Sequence, residues 1–293
     1  MGGVILVFKR IIKTVRYRFF LFAGLFPYLL GQVLAFNLNR YLNWQNFWWG
    51  FLGVILVLMG VELFNEYFDA KAGGDRIFLK EKPQIPDYFL LLALSSMLFA
   101  FFIGLYLASK SGWPILLFSV LGFLGAYFYV GPPLRWAYRG LGEFVIALSY
   151  GPFMLLGSYY LQTKRIDTLP ILVSLILGLL IFSLAIVNEI PDYYQDKLVG
   201  KRNLVVRLGK QGAVKLFSLC LISIFILIGI GIGFQRIPSL SIFAFLLLPG
   251  VYKNINMAKG SYDQPESFLP VIRATLFTYI IMVSLLGISY LGG

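Results

Sequence analysis

Long apolar stretches separated by short polar segments dominate the sequence. A helix that crosses a bilayer needs roughly 20 mostly apolar residues, and about nine stretches satisfy this requirement. They lie near residues 20–37, 46–64, 88–109, 113–130, 141–161, 169–188, 213–234, 236–252 and 269–291. The pattern predicts an all-α polytopic membrane protein with nine transmembrane helices, forming one domain over residues 1–293.

The composition supports a membrane location. Of the 293 residues, 59% are hydrophobic and only 13% are charged, and the mean hydropathy is +0.82. A soluble domain cannot bury so large an apolar fraction, so the bilayer must act as the solvent. The first apolar stretch follows a long basic segment and precedes no small-residue cleavage pattern, so we expect no cleaved signal peptide.

The placement of the basic residues predicts the orientation. The net charge is +12, and most Lys and Arg residues lie before the first apolar stretch or in alternate loops. The opposite loops hold only Arg40, Lys110, Lys164, Arg165 and Arg236. The positive-inside rule then places the N-terminus, with a basic segment at residues 1–18, in the cytoplasm and the C-terminus outside. This basic excess indicates topology and contact with anionic membrane lipids, and a nucleic-acid partner is not expected.

Histidine is absent from the sequence, and Cys220 is its one cysteine. These two facts exclude disulfides, thiolate metal sites, imidazole ligands and nucleophile systems that depend on histidine. Any chemistry must therefore use carboxylates, amides, Tyr, Lys and Arg.

Among the 13 acidic residues, two matching clusters stand out at the ends of the second and sixth predicted spans. The local sequences are Asn65-Glu66-Tyr67-Phe68-Asp69 and Asn188-Glu189-Ile190-Pro191-Asp192, which repeat the pattern N-E-x-x-D. Glu62 and Asp75 lie near the first cluster, and Asp196 lies near the second. The repeat suggests two halves of one site.

Helical spacing gives these clusters a geometry. Residues four apart share a helix face, so Asn65 lies beside Asp69, and Asn188, Asp192 and Asp196 form a polar stripe. Grouped carboxylates near a low-dielectric core need cations, and Mg²⁺ prefers oxygen ligands together with substrate phosphates. We expect two facing stripes that bind Mg²⁺ and share a diphosphate. Ordinary solvated helix ends are the alternative interpretation.

Two features modify the helix ends. Gly73-Gly74 is expected to break the helix after the first cluster and allow a turn that returns Asp75 to the site. Pro191 disfavours helix at Ile190, so the sixth span is expected to kink or restart there.

At these positions the sequence resembles the UbiA superfamily of intramembrane prenyltransferases, and most closely its MenA-type branch, the 1,4-dihydroxy-2-naphthoate polyprenyltransferases. The similarity is carried by the two clusters and by four further segments, which are Tyr129-Val130-Gly131-Pro132-Pro133, Gly140-Leu141-Gly142-Glu143, Gly200-Lys201-Arg202-Asn203-Leu204 and Val206-Arg207-Leu208-Gly209. Glu66 and Glu189 replace the more frequent Asp, and the first-helix R-P-K-T-L-P pattern is blurred over residues 16–21.

The resemblance implies Mg²⁺-dependent transfer of an isoprenyl chain from a polyprenyl diphosphate to an aromatic acceptor at the cytoplasmic face of the cell membrane. In the MenA-type reaction the acceptor is 1,4-dihydroxy-2-naphthoate, and loss of its carboxylate as CO₂ gives demethylmenaquinol for menaquinone biosynthesis. The resemblance implies catalytic roles for Asn65, Asp69, Tyr129 and Asp192, and metal ligation by Asn65, Asp69, Asp75, Asp192 and Asp196. The implied substrate-binding residues are Arg16, Arg18, Lys71, Arg135, Arg139, Asn188, Lys201 and Arg202.

Other functions stay open at this stage. Within the superfamily the acceptor can instead be 4-hydroxybenzoate, homogentisate or an archaeal glycerol ether lipid. A secondary transporter would show interrupted helices and charges near the midplane. Here Arg273 is the one basic residue placed near a span interior, and the polar clusters gather at one face, which favours an interfacial enzyme. A phosphatidyl-alcohol transferase would carry a D-G-x-x-A-R signature that the sequence lacks.

Overall fold

The computed structural model describes residues 24–72 and 85–292, without the side chains of Asp69, Ala70 and Ala72. Within these two ranges all regular structure is helical and no β-strand is found. The α-helices are α1 (Phe26–Asn39), α2 (Trp44–Ala72), α3 (Tyr88–Ser111), α4 (Trp113–Val130), α5 (Gly142–Leu148), α6 (Met154–Thr163), α7 (Thr168–Glu189), α8 (Tyr193–Leu198), α9 (Leu204–Gly233), α10 (Leu248–Ser261) and α11 (Pro265–Leu291). A π-helical turn over Ser149–Phe153 joins α5 to α6, and 3₁₀ segments cover Trp136–Tyr138 and Ser239–Leu247.

The helices agree with the predicted membrane spans wherever the structure describes them. Over the described ranges, 8 helical segments are long and apolar enough to cross a membrane, and they coincide with the second to ninth predicted spans. The first predicted span, 20–37, begins outside the described residues, and α1 is its described part. An all-α, multi-pass membrane protein is therefore confirmed, whereas the count of nine and the orientation of the termini stay predictions.

Helix α7 forms the centre of the bundle. In its apolar segment 78% of the residues are buried, against 22% to 39% in the other spans. A helix that is apolar on all sides is stable only when protein surrounds it, and α7 packs against α1, α5, α6, α9 and α11. Asn188 and Glu189, from the second acidic cluster, are therefore at the end of the most enclosed of the described spans.

Two large hydrophobic clusters divide the bundle, and a third groups only Leu107, Ile115 and Leu161. The larger one is built around α7, α9 and α11, with Leu177, Phe217 and Tyr279 fully buried. The smaller one joins α2, α3 and α4 through Phe64, Phe89 and neighbouring residues. We use the term motif end for the end of the bundle where α2 finishes at Ala72 and α7 finishes at Glu189. The polar cavity described below lies at this end, with walls from both groups of helices.

Pro191 interrupts the helix, as the sequence predicts. Helix α7 ends at Glu189, Pro191 and Asp192 form a turn, and α8 begins at Tyr193. The proline cannot donate a backbone hydrogen bond, which accounts for the break. The prediction that Asn188, Asp192 and Asp196 form one helical stripe is consequently wrong, because the three residues lie on α7, in the turn and on α8.

The last helices depart from the predicted bounds for local reasons. Helix α9 begins at Leu204, well before the expected residue 213, because Asn203 caps it by accepting the Val206 N–H at 2.8 Å. Gly209 has a φ of +73° and marks a break within this helix. The eighth predicted span is part 3₁₀ helix, from Ser239 to Leu247, and continues as α10.

Candidate active site

A cavity of about 310 Å³ opens at the motif end. Helices α2, α4, α5 and α7 and the π-helical turn supply its walls. Both apolar side chains, such as Val61 and Ile146, and polar side chains line the cavity. The polar residues are Glu62, Asn65, Glu66, Tyr129, Ser149, Tyr150, Asn188, Glu189, Asp192 and Lys201.

The two N-E-x-x-D clusters meet in this cavity. Helix α2 contributes Asn65 and Glu66, and α7 with the following turn contributes Asn188, Glu189 and Asp192. Glu62 precedes Glu66 by one turn of α2, so it lies on the same helix face and also lines the cavity. The structure therefore brings together the two halves that the sequence repeat suggested.

Asp196 has a different environment from the one expected of a cavity ligand. It is 6% exposed and does not line the cavity. Its Oδ2 accepts a 2.6 Å hydrogen bond from Nδ2 of Asn203 and lies 3.2 Å from Nζ of Lys201. Its carbonyl also accepts the Lys201 N–H at 2.9 Å. Asp196 thus fixes the turn between α8 and α9 and holds the Lys201 side chain.

Lys201 is the one basic residue lining the cavity among the residues that the structure describes. Its Nζ lies 3.2 Å from Asp196 and 4.0 Å from Oε1 of Glu189. Only 21% of its side chain is exposed. An ammonium group held between two carboxylates at a cavity wall is well placed to bind an anion that enters the cavity.

Glu143 is a structural residue whose role the sequence did not reveal. It is fully buried at the start of α5, and its Oε1 accepts the Leu204 N–H at 2.7 Å. The first turn of a helix leaves backbone N–H groups without partners, so Glu143 satisfies one of them at the start of α9. It also lies close enough to Glu189 to interact electrostatically with it. Glu143 therefore connects α5, α7 and α9 behind the cavity wall.

The two glycines before Glu143 permit this close packing. Gly140 has a φ of +74°, and a Cβ atom there would lie 2.5 Å from Nε of Arg207. A Cβ atom on Gly142 would lie 2.8 Å from Cα of Ala137 and 3.0 Å from Cε2 of Tyr129. The G-L-G-E segment is thus a tight turn that places the Tyr129 ring against the start of α5, where Tyr129 lines the cavity.

Four predicted substrate-binding residues lie outside the cavity. Lys71 donates a hydrogen bond to the Tyr67 hydroxyl and lies 3.6 Å from Oδ1 of Asp87. The Tyr67 hydrogen bond is the main cause that raises the pKa of Lys71 above its usual value. Arg135, Arg139 and Arg202 are exposed, and Nη2 of Arg139 donates to the Pro133 carbonyl at 3.1 Å. Their contribution to substrate binding stays a prediction.

The remaining predicted residues belong to the N-terminal segment and to the chain around the end of α2. Arg16, Arg18, Asp75 and the Gly73-Gly74 break lie outside the described residues, and the side chain of Asp69 is also outside the description. Asp69 belongs to α2 and follows Asn65, which lines the cavity, by one helical turn.

Comparison with known proteins identifies the family. Residues 24–281 match the model of the UbiA prenyltransferase family, which is most of the chain. The chain belongs to this family. It is a prenyltransferase, as the resemblance carried by the two clusters and the G-L-G-E segment predicted.

Two relatives align with most of this UbiA family member. It is 28% identical to a 1,4-dihydroxy-2-naphthoate octaprenyltransferase of Bacillus subtilis, and the alignment covers 92% of this chain and 88% of that protein. It is also 28% identical to a 2-carboxy-1,4-naphthoquinone phytyltransferase of Synechocystis sp., over 82% and 80% of the two chains. A solved UbiA homologue of Archaeoglobus fulgidus, bound to DMAPP and Mg²⁺, shares the fold with a TM-score of 0.63 and 13% identity, over 94% of this chain and 99% of that one.

The cavity residues of this UbiA protein fit a divalent cation. Oδ1 of Asn65 and Oε2 of Glu189 are buried without a hydrogen-bond partner, and both residues line the cavity. Oxygen donors of this kind are what Mg²⁺ prefers. Among the side chains that the structure describes, which do not include that of Asp69, no group of three or more acidic residues is close enough to enclose a metal.

Proposed function

We propose that this protein transfers the isoprenyl group of a polyprenyl diphosphate to 1,4-dihydroxy-2-naphthoate, with Mg²⁺ as cofactor. The allylic C–O bond breaks, the diphosphate leaves with the electron pair, and the ring carbon that bears the carboxylate forms the new C–C bond. Loss of that carboxylate as CO₂ restores the aromatic ring and gives demethylmenaquinol. The reaction belongs to menaquinone biosynthesis.

The observation that carries the proposal is the common cavity of the two acidic clusters. Asn65 and Glu66 on one wall and Asn188 and Asp192 on the other supply oxygen ligands and amide groups around one space. The named activities of the relatives in Bacillus subtilis and Synechocystis sp. support a naphthoate-type acceptor.

The residues that would hold Mg²⁺ are Asn65, Asp69, Asp75 and Asp192. When bound, Mg²⁺ would neutralise the charge that grows on the departing diphosphate. Asp196 was predicted as a further ligand, but its contacts with Asn203 and Lys201 support a positioning role. The solved homologue with DMAPP and Mg²⁺ has the same fold, which supports the choice of metal.

The protein's own side chains perform the other tasks. Lys201 and the Asn188 amide would bind diphosphate oxygens, and the positive charge of Lys201 favours departure of the anion. Val61, Ala126 and Ile146 exclude water from the inner part of the cavity. The Tyr129 ring provides a π-face for the allylic cation as it forms. Water must be excluded because it would compete with the acceptor ring.

The membrane location follows from the same proposal. The helices imply a multi-pass membrane protein, and in the part of the chain that the structure describes the motif end carries Lys71, Arg135, Arg139, Lys201 and Arg202. We propose that this end faces the cytoplasm in the cell membrane, where soluble anionic acceptors can reach the cavity.

The experiment that tests the function is an assay of the purified full chain with a polyprenyl diphosphate. Candidate acceptors are 1,4-dihydroxy-2-naphthoate, 4-hydroxybenzoate and homogentisate, each with and without Mg²⁺. We expect a product only with Mg²⁺, and with dihydroxynaphthoate its mass should show the loss of CO₂. Turnover with another acceptor alone would overturn the choice of acceptor, and no turnover with any acceptor would overturn prenyl transfer.

A further inference from the structure

A second cavity, of about 160 Å³, lies directly beyond the first. Val57, Gly122, Ser149 and Met154 line both cavities, so the two cavities adjoin each other. The second cavity is lined by α2, α3, α4 and α6 together with Tyr28 of α1 and the π-helical turn.

Together, the two cavities extend along the length of the helices. On α2 the lining residues extend from Asn65 in the first cavity to Gly50 in the second. At 1.5 Å per residue this is about 22 Å along the helix axis. On α4 they extend from Tyr129 to Ile115, and the direction is the same because both helices end at the motif end. The space therefore leads from the polar site deep into the bundle.

The second cavity has the chemistry of a hydrocarbon site. Three of its hydroxyl groups already donate hydrogen bonds within the protein. Tyr28 donates to the Phe47 carbonyl at 2.6 Å, Ser119 to the Ile115 carbonyl at 2.8 Å and Ser158 to the Tyr28 carbonyl at 2.6 Å. The other lining residues are mostly aliphatic, aromatic or glycine. An occupant consequently gains from apolar contact and needs no polar group of its own.

Gly122 occupies the junction of the two cavities. It belongs to a stripe on α4 at helical spacing, with Ser119 before it and Gly125 after it. A Cβ atom on Gly125 would lie 2.7 Å from Oγ of Ser149, and one on Gly104 would lie 2.8 Å from Oγ of Ser119. A Cβ atom on Gly122 would have no neighbour within 4 Å. Packing therefore does not demand glycine at position 122, and a larger side chain there would fill open space.

We propose that Gly122 keeps open the passage through which the isoprenoid tail extends from the reaction cavity into the apolar cavity, and that it thereby determines the chain length of the prenyl diphosphate accepted. This inference rests on the proposed function, because it names how that substrate is selected. A long tail needs both cavities, whereas the dimethylallyl group needs only the first.

The test compares substrates of different length in the purified full chain. Gly122→Ala and Gly122→Phe are assayed with dimethylallyl, farnesyl and octaprenyl diphosphates and one fixed acceptor. We expect Gly122→Phe to lower kcat/KM for the octaprenyl substrate by about tenfold or more and to change the dimethylallyl value by less than about threefold. Gly122→Ala should also lower kcat/KM more for the octaprenyl substrate than for the dimethylallyl substrate, but by less than Gly122→Phe does. Gly250→Phe is the matched control, since Gly250 is exposed on α10 and its Cβ would also meet no atom within 4 Å.

The outcomes separate the two proposals. Failure of the unaltered protein with every prenyl diphosphate would contradict the proposed function. Normal activity of the unaltered protein, with Gly122→Phe unchanged toward octaprenyl diphosphate or equally impaired toward all lengths, would overturn the role of Gly122. A farnesyl diphosphate analogue with a photoreactive terminal group tests the cavity without any substitution. We expect labelling of α3, α4 or α6 around Ile103 and Phe118, and labelling restricted to other helices would overturn the inference.

Discussion

Asn203 donates a 2.6 Å hydrogen bond from its Nδ2 to Oδ2 of Asp196. Its Oδ1 accepts the Val206 N–H at 2.8 Å, so one fully buried amide joins α8 to the first turn of α9. The geometry of this turn positions Lys201, whose Nζ contacts the same Asp196 carboxylate. The cavity wall thus depends on a residue that does not itself line the cavity.

The first prediction concerns this amide. Asn203→Ala removes a helix cap and leaves the buried Asp196 with one donor fewer, so the free energy of unfolding should fall by about 1–3 kcal/mol. Thermal unfolding of the purified protein measures the change. Asn256→Ala, at an exposed position on α10, is the control and should have little effect. Equal unfolding temperatures for the two variants would show that the Asn203 contacts do not stabilise the protein.

The second prediction concerns Glu143, whose Oε1 accepts the Leu204 N–H. Glu143→Gln keeps an acceptor oxygen and adds an N–H donor beside Glu189, so the variant should fold and retain activity. Glu143→Ala leaves a buried backbone N–H without a partner, which costs about 1–3 kcal/mol. The comparison requires unfolding temperatures and kcat for both variants. A Glu143→Gln protein as unstable as Glu143→Ala would mean that the charge, and not the hydrogen bond, holds α5 to α9.

The sequence predicted the site where its chemistry is local. Asn65 and Asn188 were placed in one site from the repeated N-E-x-x-D pattern alone, and both line the same cavity. The helix break at Pro191 was predicted because proline has no backbone N–H to donate, and a new helix begins at Tyr193. These features depend on short segments, and therefore propensity and spacing were sufficient to predict them.

The sequence did not predict contacts that depend on packing between distant helices. Asp196 matched a four-residue spacing, but the break at Pro191 turned it towards Asn203. Glu143 was assigned only to a family motif, because its partner, the Leu204 N–H, is brought near by the packing of α5 beside the start of α9. The empty space beside Gly122 was likewise not predicted, because it depends on how several helices pack around α4.

The third prediction concerns Asp192, which lines the cavity in the turn after Pro191. Asp192→Asn keeps the shape and removes a charge that would hold Mg²⁺, so turnover should fall by about a hundredfold or more while the fold is retained. Asp263→Asn is the control, since this exposed aspartate is also at the motif end but outside the cavity. Turnover should also stop with a chelator and return with Mg²⁺. Full activity of Asp192→Asn at low Mg²⁺ concentration would contradict its assignment as a ligand.

The fourth prediction separates two lysines that the sequence treated alike as candidates for diphosphate binding. Lys201 lines the cavity between Glu189 and Asp196, whereas Lys71 is engaged by Tyr67 and Asp87 outside it. Lys201→Ala should therefore raise KM for the prenyl diphosphate by about tenfold or more, because a charge-assisted contact contributes about 1.5–3 kcal/mol. Lys71→Ala should leave this KM within about twofold of the original value. Steady-state kinetics with saturating acceptor measure both, and unfolding temperatures show whether each variant is intact. A similar rise in KM for the two variants would mean that Lys71 also contacts the substrate, and an unchanged KM for Lys201→Ala would exclude the ammonium group from diphosphate binding.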